Sequence, residues 1–471
     1  MGFPYGTAPL VILLIAIVSG AAAMLSEATS PRADGRPDLI FATFSKEHAA
    51  AYQPAVERFE LEHGVDVQLQ VVSQRALQGR LQSSMQVGAD VPDMVELLDG
   101  TLGVFAKGPV EDVGFVDLTE HVHREGLYDR LVTSRFGKWS SRGHIFALPH
   151  DVHSVMLAYR RDLVEDLGID VSMLTTWDEF CRVGREVVTK DLTGDGVPDR
   201  YMIDLPADGG DALRLLMLQR GGAMFDEAGN VAFDNPAAVD VIDWYVRRVA
   251  GEDRISFPAG WGQNLAKAMT DGLVLFYICP DWRLKQFESD VPSLAGKMAL
   301  MPVPAWEPGA RRTTTWGGTG LAITKQCGNP DLAWKLAMHL YYDPAQLGER
   351  FAQTLILPPL KQAWTEPQID APSPVFSGMR VGRAYADLAT QVPEEQSSAY
   401  MTLAVAKLSE AYNNALAHFQ AGGEANLHEV ARNELKSAAG RVRTVMERNR
   451  FLRDGAEIPV AAAAGTAKGV R

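Results

Sequence analysis

Six groups of residues in this chain have types and spacing that could do chemistry. His150-Asp151-Val152-His153 sets two imidazoles around a carboxylate, and His121, His123 and His144 precede it. A zinc site needs three or four ligands sharing a face or turn; neither grouping has that spacing, so no metal is expected. In the segment KDLTGDGVPDR, Asp191, Thr193, Asp195, Gly196 and Asp199 fall at positions one, three, five, six and nine of a calcium loop. Met202 stands where the bidentate Glu of position twelve belongs, so an Asp/Gly turn is the expectation and calcium the alternative. Asp151, Asp281 and Glu96 invite comparison with the paired carboxylates of a glycosidase, but no Ser-His-Asp order or nucleophile elbow accompanies them, and catalysis is not expected. Trp282 and Trp316 offer indole faces on which the C–H face of a sugar packs, with Asp99, Asp151 and Asp281 as partners for its hydroxyls. Arg75, Arg311 and Arg312 could instead clamp a phosphate bidentately, which is the rival reading of the ligand.

The elements that must position these residues begin at Asp38. DLIFATF is followed by a helical face of Tyr52, Val56 and Phe59 that stops at Gly64, then by the alternating Val65, Val67, Leu69 and Val71, a helix over 77–87 and a strand over 93–98. Strand–helix alternation of this kind predicts a parallel sheet, which binds ligands beyond the carboxyl ends of its strands. Phe44, Ser45, Gln74 and Asp99 occupy those ends. Leu148-Pro149 closes an extended segment and Val155 to Tyr159 resumes one, so the polar stretch His150–His153 between them reads as a hinge. Thr176-Trp177-Asp178-Glu179 has capping-box spacing, and Asn235-Pro236 opens a further helix. Leu273 to Ile278 is an apolar strand ending at Pro280-Asp281-Trp282. Trp316-Gly317-Gly318-Thr319-Gly320 supplies conformational freedom for a second hinge and room for a ligand near the backbone; no GKS or GKT follows, as a nucleotide loop would require.

ALPHDVHSVMLAYRRDLVEDLGI followed by TTWDEF resembles family 1 of the extracellular solute-binding proteins of ABC importers, to which the maltose-binding proteins belong. GGAMFDEAGNVAFDNPAAVDVIDWY (Gly221 to Tyr245) and WGGTGLAITKQCGNPDLAWKLAMHL (Trp316 to Leu340) match the same family in the same order. The resemblance implies an α/β, two-lobed periplasmic-binding-protein fold with three crossings: an N-lobe from 38–149 plus 318–357 and a C-lobe from 152–315 plus 360–450. It implies a sugar or polyol bound between the lobes and delivered to the membrane subunits of a permease, by a monomer without cofactor. The phosphorylated alternative, such as glycerol 3-phosphate, is carried by some relatives. Placement at strand ends and crossings, within the two-lobed fold the resemblance implies, gives the expected ligand set Phe44, Ser45, Gln74, Asp99, His150, Asp151, Asp281, Trp282, Trp316, Gly317 and Gly318, with Trp282 and Trp316 facing each other's lobe across the cleft.

Composition agrees with that class. At 471 residues the chain is too long for one core, and 46% hydrophobic with 22% charged residues is ordinary for a globular protein. A net charge of −14, with no basic run interleaved with aromatics, argues against nucleic acid as partner. Residues 1–30 contain an apolar run, Leu10 to Val18, before Ser19-Gly20-Ala21-Ala22-Ala23; it is too short to span a bilayer comfortably and reads as an export signal, although no Lys or Arg precedes it. No Cys lies near it for a lipid anchor, so a free, exported, periplasmic protein is expected. Cys181, Cys279 and Cys327 are odd in number and far apart, and read as small core residues. Residues 455–471 read as a disordered tail.

Overall fold

The computed structural model describes residues 36–449, apart from 88–90, 190, 192–193 and 195–197. The N-terminal apolar segment, the tail, and Thr193 and Asp195 of the Asp-rich loop lie outside the described residues. Asp191 accepts a backbone bond from Gly194 at 2.6 Å, the local bond of a turn.

Two five-stranded mixed sheets organise the chain. In the first, β1 (Leu39–Thr43), β2 (Val67–Val71) and β3 (Met94–Leu98) run parallel in the order β2-β1-β3, because a helical crossover after each strand brings the next one back in the same direction. β4 (Ser140–Ser141) and β5 (His144–Ile145) form a separate hairpin, and β6 (Leu148–Pro149) ends this half of the chain. Residues 150–154 then cross to the second sheet, built from β7 (Val155–Arg160), β8 (Tyr201–Asp204), β9 (Ser256–Phe257), β10 (Val274–Pro280) and β11 (Met298–Pro302) in the order β11-β7-β10-β8-β9. Every residue of β7 and β10 is buried, which is why these stretches read as unbroken apolar runs and not as alternating ones. Residues 303–318 lead back, and β12 (Thr319–Ile323) inserts antiparallel between β3 and β6. Residues 355–360 make a third passage. Beyond it the helices Met401–Gln420 and Leu427–Met446 pack with Pro236–Val249 on the core of the second sheet.

Local signals set the helix ends. Ser45 Oγ accepts from His48 N at 3.1 Å to start the helix Lys46–His63, and Gly64, at φ 66°, ends it by donating to Glu60 O. Thr176 and Glu179 form the reciprocal capping box at the start of Trp177–Val188, and Asn235 caps Pro236–Val249. Each lobe has its own apolar core: Phe41, Tyr52, Val56, Phe59, Leu321 and Leu336 in the first, Leu157, Phe180, Ile203, Ile242 and Phe276 in the second. At about 1.5–3 kcal/mol for each large side chain withdrawn from water, these cores outweigh any exposed ion pair. Cys181, Cys279 and Cys327 are free and buried; burial pushes the Cys279 thiol up to about 12, which keeps it protonated and unreactive.

Candidate binding cleft

The three passages between the lobes meet over a buried chain of charges. Arg135, fully buried in the first lobe, donates to Asp151 in the first passage and to Thr315 and Gly317 in the second. Asp151 also accepts from Thr319 N at 2.7 Å. His153, at φ 49°, donates from Nε2 to Asp151 (3.1 Å) and from Nδ1 to Asp281 (2.5 Å). Asp281 accepts from Trp282 N and from Leu357 N, which lies in the third passage. Burial alone would lower the His153 pKa, but the two carboxylates raise it to about 9. Burial would raise Asp151, and the charge of His153 with the bonds from His150, His153 and Arg135 holds it well below the usual range.

Above this chain, two residues of each lobe form a compact ionic group. Asp99 follows β3, and Lys138 lies in a 3-10 turn over Gly137–Trp139. From the second lobe come Arg214, on the helix Gly210–Gln219, and Glu395, in the loop over 391–400. Lys138 Nζ reaches Asp99 at 3.0 Å, Glu395 at 2.7 Å and Gly317 O at 2.9 Å; Arg214 reaches Glu395 at 2.9 Å and Asp99 at 3.4 Å. All four side chains are at most 15% exposed. Burial would raise Asp99, but Lys138 and then Arg214 hold it far below the ordinary carboxylate range.

Beside this group, three indoles meet. Trp282 and Trp316 pack edge to face at 5.4 Å, Trp261 lies edge-on to Trp316 at 5.8 Å, and Trp261 and Trp282 are within 11° of parallel at 6.4 Å. Trp316 Nε1 donates to Asp211 at 3.2 Å, Trp282 Nε1 donates to Trp316 O at 3.1 Å, and Arg283 stacks over Trp261 and Trp316. Trp261 is 56% exposed and the other two are half-buried.

This geometry revises several expectations. Trp282 and Trp316 do not face one another across a gap: they touch, as parts of one platform, because Trp316 lies in the second passage, whose backbone accepts from Trp282 Nε1 at the start of Trp282–Asp290. His150, Asp151 and Asp281 are fully buried, so their polar atoms hold the passages together and none faces solvent. Asp151 and Asp281 are bridged by His153, which also removes them as a free carboxylate pair. Ser45 is spent on its helix cap, and Gln74 donates to Thr101 at 3.2 Å. Phe44 is half-buried against His48 at 6.0 Å. Gly317 lies under Trp282, Gly318 against Arg135 and Lys138, and Asp99 alone of the chosen acids joins the ionic group. Arg311 and Arg312 donate to backbone carbonyls of Leu218, Val303, Leu174 and Pro302. Sequence reasoning did not select Trp261, Lys138, Arg214 or Glu395; a Trp flanked by Gly260 and Gly262 was the one available signal.

His48, Glu96 and His150 bring one ligand-type atom each within 4.8 Å of one another. Their setting is that of a hydrogen-bonded core. Glu96 accepts from Thr43, Tyr52 (2.5 Å), Tyr341 (2.9 Å) and His48 (3.1 Å), which leaves no oxygen free. His150 stacks on His48 at 4.5 Å, donates from Nδ1 towards Asp151, and has its Nε2 buried without a protein partner. Burial, then Arg350 and His48, push its pKa down to about 3. The positive charge of Arg350, which donates to His150 O, opposes a dication there.

Comparison with known proteins agrees with this architecture. The description "Bacterial extracellular solute-binding protein" matches residues 45–346. Arabinooligosaccharide-binding proteins of Halalkalibacterium halodurans and Bacillus subtilis are 28% identical over 308 residues and 24% identical over 329 residues; the matches cover 64% and 69% of this chain and 66% and 72% of the relatives. The chain thus spans about two thirds of the Halalkalibacterium protein's length. The sugar-binding protein MalE of Xanthomonas citri superposes with a TM-score of 0.70 at 18% identity, over 87% of this chain and 99% of that one. The match over 45–346, together with the two-sheet fold and its three passages, establishes that the chain belongs to the bacterial extracellular solute-binding protein family.

Proposed function

We propose that this protein is the capture component of an ABC importer for a neutral oligosaccharide, held between the lobes against Trp261, Trp282 and Trp316 and handed to the membrane subunits of a permease. The observation that carries the reading is the aromatic platform: three indoles converge beside the ionic group that joins the lobes, with one indole more than half exposed. Indole faces take the C–H faces of pyranose or furanose rings, and Asp211, Asp99 and the passage backbone supply partners for hydroxyls. Two relatives carry the name arabinooligosaccharide-binding protein, which makes short arabinans the first solutes to try. Solute closes the lobes only to the extent that it binds the closed form better than the open one. No helix among the described residues is long and apolar enough to cross a membrane; a monomer working in the periplasm completes the proposal.

Isothermal titration against α-1,5-arabinotriose, maltotriose, cellotriose and glycerol 3-phosphate tests it. The expected result is saturable heat with at least one trisaccharide and none with glycerol 3-phosphate. Trp261→Ala should keep the melting temperature, because the ring is exposed, and weaken that trisaccharide about tenfold, or 1.4 kcal/mol. Unchanged affinity in Trp261→Ala, or heat only with the phosphorylated compound, contradicts the reading.

A further inference from the structure

The ionic group across the lobes does more than fasten them. Asp99 and Lys138 alone, in the first lobe, already form one pair at 3.0 Å, and Arg214 and Glu395 form another at 2.9 Å in the second. Each pair is neutral before the lobes meet, and the contacts Lys138–Glu395 (2.7 Å) and Arg214–Asp99 (3.4 Å) exist only where the lobes touch. The loop that carries Glu395 is seated on the first lobe: Ser397 N donates to Gly137 O at 3.0 Å, and a Cβ at Gly103 or Gly137 would collide with the backbone of Ser398 or Glu395. Two further charges lie at the edge of the group: Asp211, half exposed to water, is 3.9 Å from Arg214, and Arg135, paired with Asp151, adds a positive field at Asp99, so the outer charges are again one of each sign.

We propose that Arg214 and Glu395 are charge-selecting residues of the cleft: by closing onto Asp99 and Lys138 they complete a balanced quartet, so that the closed protein accepts an uncharged solute and rejects an anionic one. The proposal rests on the reading of the inter-lobe space as the solute site, and it adds the reason for selection. Each of the two cations touches both carboxylates at 2.7–3.4 Å, so the four charges satisfy one another. A solute carboxylate or phosphate buried beside them would be a fifth charge without a partner, and the cost of burying an unpaired charge exceeds what its hydrogen bonds return. Sugar hydroxyls, in contrast, can donate to Asp99 or Glu395 and accept from Lys138 or Arg214 without disturbing the balance.

Two arms keep the test independent of the solute's identity. In the first, without sugar, the distance between two spin labels on introduced surface cysteines, one per lobe, is measured from 0.05 to 1 M KCl. The wild type is expected to shift towards longer distances as salt screens the quartet, and Glu395→Gln and Arg214→Gln to show the longer distances already at low salt. Lys138→Gln combined with Glu395→Gln should add little to either change alone, because both remove the same inter-lobe contact. In the second arm, α-1,5-arabinotriose and trigalacturonic acid are compared by titration. Wild type should bind the uncharged trisaccharide and show at least hundredfold weaker binding of the anionic one, whereas Glu395→Gln, with one cation uncompensated, should narrow that ratio about tenfold. Equal distance distributions in wild type and variants at every salt, or an unaltered ratio in Glu395→Gln, overturns the proposal. If neither trisaccharide binds while salt and the substitutions open the lobes as described, the reading of the solute fails, and charge selection is overturned with it, leaving the quartet a closure contact only.

Discussion

His153 holds a proton between two carboxylates at 3.1 and 2.5 Å, which gives the hinge a definite dependence on pH. Its pKa in the folded protein, about 9, lies above the ordinary 6.5, so the folded state binds this proton more tightly than the unfolded one. The resulting stabilisation, on the order of 3 kcal/mol, is complete below pH 6.5 and is lost as pH rises through 9. Thermal unfolding followed from pH 6.5 to 9.5 should therefore show a falling melting temperature, and His153→Gln, which keeps a hydrogen-bonding side chain but cannot titrate, should flatten that fall. Equal slopes in the two proteins would mean that other groups carry the dependence. The groups facing His153 are Asp151 and Asp281, with Arg135 and His150 behind Asp151, and a variant at any of them shifts the same curve.

At the scale of elements, the capping box at Thr176 and Glu179 is an interaction between residues three apart, and Thr176→Ala should cost about 1 kcal/mol, read as an earlier denaturant midpoint with unchanged slope. Gly320 poses a different constraint. A Cβ there would stand 2.5 Å from the ring of the fully buried Trp139, so Gly320→Val should destabilise by about 1–3 kcal/mol through overpacking; near-native unfolding of this variant would show that the ring has room to move. These two cases also show what could be read in advance. The helix starts at Thr176 and Asn235, the stop at Gly64 and the parallel run of β1 to β3 follow from local pattern and were legible, whereas the cap at Ser45 was not, because a Ser just beyond a strand end serves a ligand or a helix start equally well. Trp282 and Asp99 stood out as residues just past strand ends and Trp316 as the residue before a glycine-rich crossing, but the contact between the two indoles and the ionic partners of Asp99 were not visible in that placement. Arg214 and Glu395 were not legible, because each lies in an ordinary helix or loop context and acquires its meaning from partners 115 and more residues away. Burial of His150, Asp151 and Asp281 was equally hidden, since polar residues at a chain break look the same whether solvent or three crossing segments surround them.

For the whole molecule, Asp281 matters more than its position at a helix start suggests. It accepts from His153 in the first passage and from Leu357 in the third, and so ties the lobes where they would otherwise unfold independently. Asp281→Ala leaves the His153 charge buried with one partner fewer, at a cost of about 3–5 kcal/mol. Calorimetry should resolve two transitions in this variant where the wild type shows one; a single transition at an unchanged temperature would show that the passages are held by packing alone.

The place of β12 in the first sheet bears on how the protein is made. The strand lies between β3 and β6 and, among the described residues, is the sole hydrogen-bonded neighbour of β6 within the sheet, yet it begins at Thr319, long after β6 has ended at Pro149. A chain emerging from the ribosome has therefore translated the whole second sheet before the first can be closed, and until then β3 and β6 present open edges that invite pairing with other chains. Folding of the first lobe waits for the return passage and should be slow for its size, because its central pairing spans such a sequence separation. Fragments that end before Thr319 should aggregate on refolding, and fragments that extend past the helix Pro344–Thr354, which packs on Lys46–His63, should be the first to yield a soluble first lobe.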